Sequence, residues 1–127
     1  MNCPITIMTS SDPFAIKDPD YSVQYDPKTQ TVTFQGELQL SGMDDYAPII
    51  MLLDDAVEQE SSLLKLDLRG LKFLNSSGIN MLLRLVIKVR DRTNLQLVVQ
   101  GSEKVSWQSR SLKTLKRLMP GLELQME

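Results

Sequence analysis

The chain has no histidine and one cysteine. Without histidine there is no Ser-His-Asp or Cys-His catalytic arrangement, no imidazole metal site, and none of the commonest general base at neutral pH. A single cysteine, Cys3, cannot close a disulfide or supply a thiolate zinc site within the chain. Apolar runs are too short for a transmembrane helix. The start lacks the basic residues and long apolar stretch of a secretory signal, so the expectation is a soluble, cytoplasmic protein. Nor is there a surplus of positive charge: the net charge of -2 argues against a dedicated nucleic-acid binder. No P-loop, dinucleotide fingerprint or cluster of metal ligands stands out, and no cofactor is expected.

What remains is an ordinary globular composition, 42% hydrophobic and 24% charged, in 127 residues, enough for one domain. Residues 1–20, with Pro4, Pro13 and Pro19, read as an arm in which Ile5 to Met8 can add a short strand. Residues 21–127 read as the single domain. Tyr21 to Tyr25 and Thr31 to Gln35 alternate with period two around the turn residues Asp26-Pro27-Lys28-Thr29, as a hairpin does. Ser41-Gly42-Met43-Asp44 has the spacing of a helix start, with Ser41 and Asp44 placed to satisfy free N–H groups. Tyr46, Ile49, Ile50, Leu53 and Val57 then mark one apolar helical face. Asp54, Asp55 and Glu58 fall on the other side, as a solvated face.

Leu63 to Leu68 is a buried strand closed by Arg69-Gly70. A short loop leads to Asn75-Ser76-Ser77-Gly78, and Ile79 to Val89 forms a helix buried on a broad face. Asn94 to Gln100 is another interior strand. Ser106 to Met119 is a third helix, stopped by Pro120-Gly121, and Leu122 to Met126 returns as a last strand. Strands alternating with helices imply right-handed crossovers and an α/β fold: a mixed, mostly parallel sheet of four to five strands packed with three or more helices.

The segment richest in functional signal is Leu66 to Ile79, where a strand delivers two serines to a helix start. Free N–H groups and the helix dipole favour negative charge there, so a phosphate on Ser76 would be held, and Gly78 permits close approach. Asn75 or Ser76 acting simply as a cap is the plainer alternative. With Leu66-Asp67-Leu68, Phe73-Leu74-Asn75-Ser76-Ser77-Gly78, Gly36-Glu37-Leu38 and Pro120-Gly121-Leu122, the chain resembles the STAS domain family of anti-sigma factor antagonists over roughly Tyr21 to Met126.

That resemblance implies a bacterial, non-enzymatic signalling protein that regulates transcription by switching partners. Its partner would be an anti-sigma factor or a histidine-kinase-type ATPase that phosphorylates the first serine of the motif, here Ser76. A phosphatase would reverse the change, and Ser77 is the fallback acceptor. New charge on a docked surface disrupts it by repulsion and desolvation. The chain departs from the family in one residue: Asn75 stands where the family has Asp. A constitutive docking or scaffold subunit of a signalling or transport complex is the alternative. Parallel sheets gather partners at strand carboxyl ends. The expected partner face therefore comprises Ser41, Gly42, Met43, Asp44 and Asp45 with Asn75, Ser76, Ser77, Gly78 and Ile79. Two further features are a basic run (Arg84, Lys88, Arg90, Arg92, Lys104, Arg110, Lys113, Lys116 and Arg117), read as solvated helix faces with an acidic partner or anionic lipid as the alternative, and Trp107, read as a partly buried core aromatic with an interface anchor as the alternative.

Overall fold

A computed structural model describes residues 14–92 and 94–127. The expected strand at Ile5 to Met8, and Cys3, lie outside them. Six strands form one sheet whose spatial order is the order in the chain. These are β1 (Ala15–Lys17), β2 (Tyr21–Asp26), β3 (Thr31–Leu38), β4 (Leu63–Leu74), β5 (Gln96–Gly101) and β6 (Glu123–Met126). The first two pairings are antiparallel and the other three parallel. The crossovers are α1 (Gly42–Gln59), α2 (Ser76–Arg90) and α3 (Ser106–Leu118). Every crossover steps to the next strand in the same direction. Right-handed crossovers of that kind put all three helices on one side of the sheet.

Burial follows from this one-sided cover. Val23, Val32, Phe34, Leu64, Leu66, Leu68, Leu97 and Val99 point under the helices and are fully buried. They join Tyr46, Leu53, Met81, Leu82, Val86, Leu112 and Leu115 in a single core. The opposite face carries a polar row, Gln24, Thr33, Asp67, Gln100 and Gln125, in register across five strands. The α/β architecture expected from the sequence is what the chain adopts, with six strands where four to five were expected.

The extra strand is β1, in the segment read as an arm. Ala15, Ile16 and Lys17 pair with Gln24, Val23 and Ser22. Phe14 adds an edge-on ring contact with Tyr25, centroids 5.3 Å apart. The turn expected at Asp26 forms as an Asx turn, with Lys28 N–H donating to Asp26 Oδ1 at 2.9 Å.

The largest departure lies in β4. No loop follows Arg69-Gly70, and the strand continues through Leu74. Its pairing with β3 shifts twice, once between Thr33 and Gln35 and once between Gly36 and Glu37, each time placing one extra residue on β4. Each bulge resets which side chain points inward. The buried residues accordingly run Leu64, Leu66, Leu68, then Leu71 and Leu74. β4 also outruns β5, whose pairing with it ends at Asp67–Gln100. The carbonyls of Leu68 and Leu71 are taken instead by α3. Gln108 Nε2 donates to Leu68 O at 2.6 Å and to Leu71 O at 3.0 Å. Trp107 Nε1 donates to Leu71 O at 2.9 Å. Trp107 is thus the half-buried aromatic expected, with its polar edge satisfied.

On the open face, Arg69 forms a two-pronged pair with Asp67, both contacts 2.9 Å, and reaches Glu127 at 2.8 Å. The Arg69 guanidinium holds the Asp67 carboxyl below its ordinary range, against a smaller opposing effect of burial. A depressed folded-state pKa contributes stability above the unfolded value, which is lost as pH falls through the folded one. Asp67→Asn is therefore expected to lower stability at pH 7 by about 0.5–1 kcal/mol. The difference from wild type should be smaller at about pH 2.5, below the unfolded value, and close only once pH has passed the folded one. Urea denaturation at the two pH values measures it; an equal difference at both would sink the assignment.

Candidate functional site

The carboxyl end of β4 delivers Asn75 to the start of α2, and Asn75 organises the region. Its Oδ1 accepts from Gly78 N–H at 3.0 Å and from the Tyr46 hydroxyl at 2.7 Å. Its Nδ2 donates to Leu40 O at 2.8 Å, and its backbone N–H to Leu38 O at 3.2 Å. One residue, by its amide and its backbone N–H, thereby ties together the end of β3, the β3–α1 connection, α1 at Tyr46 and the first turn of α2. It is the N-cap of α2, as one reading of the sequence had it. The Tyr46 ring is fully buried, and burial pushes its phenol above the ordinary range, partly offset by the backbone N–H of Leu40.

Gly78 is required by this joint. A Cβ at that position would lie 2.1 Å from Leu74 Cδ1 and 2.7 Å from the Tyr46 hydroxyl. The close approach foreseen for Gly78 is thus to the protein's own core. Gly36, in the Gly-Glu-Leu segment, has φ +92 and a Cβ position only 2.2 Å from Asp20 O. It lets β3 bend past β2 on its way to Leu38 and Leu40.

Ser76 is the first residue of α2 and is exposed, whereas Ser77 is half-buried. Gly78 N–H is capped by Asn75, and Ile79 N–H bonds Asn75 O at 3.0 Å. The N–H groups of Ser76 and Ser77 make no hydrogen bond among the described residues, so two unpartnered donors stand at the positive end of the helix, where Ser76 is exposed. Ile79 is half-buried and packs on the core.

Around this edge α1 begins at Gly42, whose φ of +74 suits glycine. The side-chain cap expected of Ser41 does not form, because the extended Ser41 leads into a left-handed residue and its hydroxyl does not meet the first N–H groups. Asp44 and Asp45 lie exposed in the first turn and act through the helix dipole. Met43 and Phe73 are large apolar side chains left exposed. The sequence reading missed Phe73, although an aromatic just before the serine motif, outside the period-two pattern, was the available signal. It also took Tyr46 only as a core residue and overlooked its hydroxyl. Among the described residues no cluster of acidic or sulfur ligands could hold a metal. Asp54 and Glu58 instead pair with Lys88 and Arg92 at 3.4 and 3.5 Å.

No family model matches the chain, and no curated protein matches it. Solved structures do. A chain in the crystal structure of the diguanylate cyclase SiaD in complex with its activator SiaC, from Pseudomonas aeruginosa, aligns with a TM-score of 0.67 at 13% identity. That alignment covers 88% of this chain and 96% of the other. SiaC of the same organism gives 0.65 at 13% identity, over 89% and 97% of the two chains. The crystal structure of apo-SiaC gives 0.68 at 13% identity, over 89% and 98%. At this identity the likeness establishes a shared fold. Among the described residues, no helix is long and apolar enough to cross a membrane.

Proposed function

We propose that the chain is a non-enzymatic regulator that binds a cognate protein through the edge formed by the starts of α1 and α2, and that phosphorylation of Ser76 weakens this binding. The observation that carries the reading is the exposed Ser76 at the first position of α2, at a helix start with two unpartnered N–H groups, on a sheet edge where Met43 at the start of α1 and Phe73 near the end of β4 are also exposed. Exposed apolar side chains around a rigid polar centre are what a protein partner buries. Charge added at Ser76 is tolerated by the helix start and opposed by the docked surface. The STAS-like motif supports the same serine and a partner of the anti-sigma or serine-kinase type. SiaC, of the same fold, is the activator of the diguanylate cyclase SiaD and is seen in complex with it, which supports action by binding.

A second reading, constitutive docking, is favoured by one observation. Asn75 is neutral and holds the joint through both ends of its amide, and the carboxylate that the STAS motif places beside its serine is absent.

The two readings separate on a partner recovered from the native cell and titrated against purified variants. Ser76→Ala should bind as wild type does, and Ser76→Asp about tenfold more weakly, or 1.4 kcal/mol. Met43→Arg should weaken binding with the thermal midpoint unchanged. Intact mass should show one phosphate on wild type that Ser76→Ala lacks. Equal affinities with no phosphate on Ser76 or Ser77 would leave constitutive docking.

A further inference from the structure

Charge is sorted across the helical face. Of the fourteen Lys and Arg, eight lie in residues 76–90 and 104–118, and none of the sixteen Asp and Glu does. Helix α1 is the reverse, with five acids and no Lys or Arg in its 18 residues. Packing places α2 between α1 and α3, so the layer runs from negative to positive across its width. The ion pair of Lys88 with Asp54 joins α2 to α1. Arg84, Arg110, Lys113 and Arg117 take part in no ion pair among the described residues, and neither does Asp55.

The same face has an apolar knob and an apolar groove. Met51, on the outer side of α1, is 66% exposed. Leu83, Ile87 and Leu118 line a groove of about 500 Å³ between α2 and α3, edged by Thr114 and Arg117. Ile87 is 40% exposed within it.

We propose that this face binds a second copy of the chain, α1 of each copy lying over the α2–α3 groove of the other. A two-fold axis parallel to the helices brings the acidic edge of one layer over the basic edge of its partner, twice over. It also sets each Met51 above the partner's groove. The contact is self-complementary and closes as a dimer. An 18-residue helix is about 27 Å long. With α2 and α3 at 15 and 13 residues, three helices at 8–10 Å spacing give a face of roughly 550–700 Å², approaching the ~800 Å² per partner of a standard stable interface. Anionic lipid fits less well, because α1 would set five acids against the bilayer and the apolar residues line a recess. The proposal is independent of Ser76, which lies at the end of the layer.

Sedimentation equilibrium of the whole protein tests it. Wild type at up to about 100 µM should show a dimer in about 50 mM salt and dissociate at least tenfold more readily in about 500 mM. Arg110→Glu/Arg117→Glu and Asp55→Lys/Glu58→Lys should each be folded and monomeric, since each opposes like charges in its own dimer. Mixed one to one, they should recover the dimer mass, because the reversed α3 of one meets the reversed α1 of the other. A wild type that stays monomeric, double variants that dimerise as wild type does, or a mixture that stays monomeric would each overturn the proposal. So would a monomeric wild type that binds anionic vesicles through Arg110 and Arg117.

Discussion

Gly36→Ala is expected to destabilise the protein by about 3–4 kcal/mol, near the upper end for a single substitution. At φ +92 an L side chain carries a strain of about 1–2 kcal/mol. The added methyl would also stand 2.2 Å from Asp20 O and 2.9 Å from Tyr21 Cα, both backbone atoms that no rotamer change can move. Relief requires β2 and β3 to separate where Tyr21 pairs with Gly36 and where Glu37 N–H bonds Asp20 O at 2.9 Å. The urea midpoint should fall by more than about 1 M. Gly121→Ala is the control: nothing lies within 4 Å of its Cβ position, and its midpoint should scarcely move. Equal midpoints for the two variants would mean that β2 and β3 do not approach so closely.

Asn75→Ala comes next, with an expected loss of about 3 kcal/mol assembled from separate terms. The helix loses its cap at Gly78 N–H, worth about 1 kcal/mol. The buried Tyr46 hydroxyl and the Leu40 carbonyl each lose a partner, at about 1 kcal/mol or more apiece. Tyr46→Phe alone should cost about 1 kcal/mol. In the double variant the two losses should not add, with a coupling of at least about 0.5 kcal/mol between them. Asn75→Asp should fall between wild type and Asn75→Ala. It keeps the cap and the Tyr46 contact but sets an oxygen against Leu40 O in place of a donor. Urea denaturation of wild type and the four variants reads all of this; an Asn75→Ala within about 0.5 kcal/mol of wild type would sink the account.

The physics of each element explains how well it could be read. Strands β2 and β3 and the three helices show in the sequence because each has one apolar side at a regular period, and a one-sided helical layer requires just that. The segment Leu68 to Leu74 does not show, because two bulges change the inward spacing from two residues to three, and a period-two pattern ends at the first of them. β1 is only three residues long and sits at an edge, too short to display a period. Asn75 and Ser76 were legible as a helix start. The donor from Asn75 to Leu40 was not, since it joins positions 35 apart through a bend set by Gly36. Gln108 and the Tyr46 hydroxyl were hidden for a similar reason. Buried polar groups are placed by carbonyls that only the assembled sheet leaves open, and no local pattern announces them.

The joint at Asn75 is also electrically silent. An amide, two backbone carbonyls, backbone N–H groups and a phenol raised above its ordinary range hold it together, so none of its bonds is made or broken by a proton at the pH of living cells. A carboxylate in the same place would answer to acidification. With an amide there, and no histidine anywhere in the chain, metabolic swings in pH leave the bonds of this joint unchanged, and a charge on Ser76 itself comes by covalent attachment.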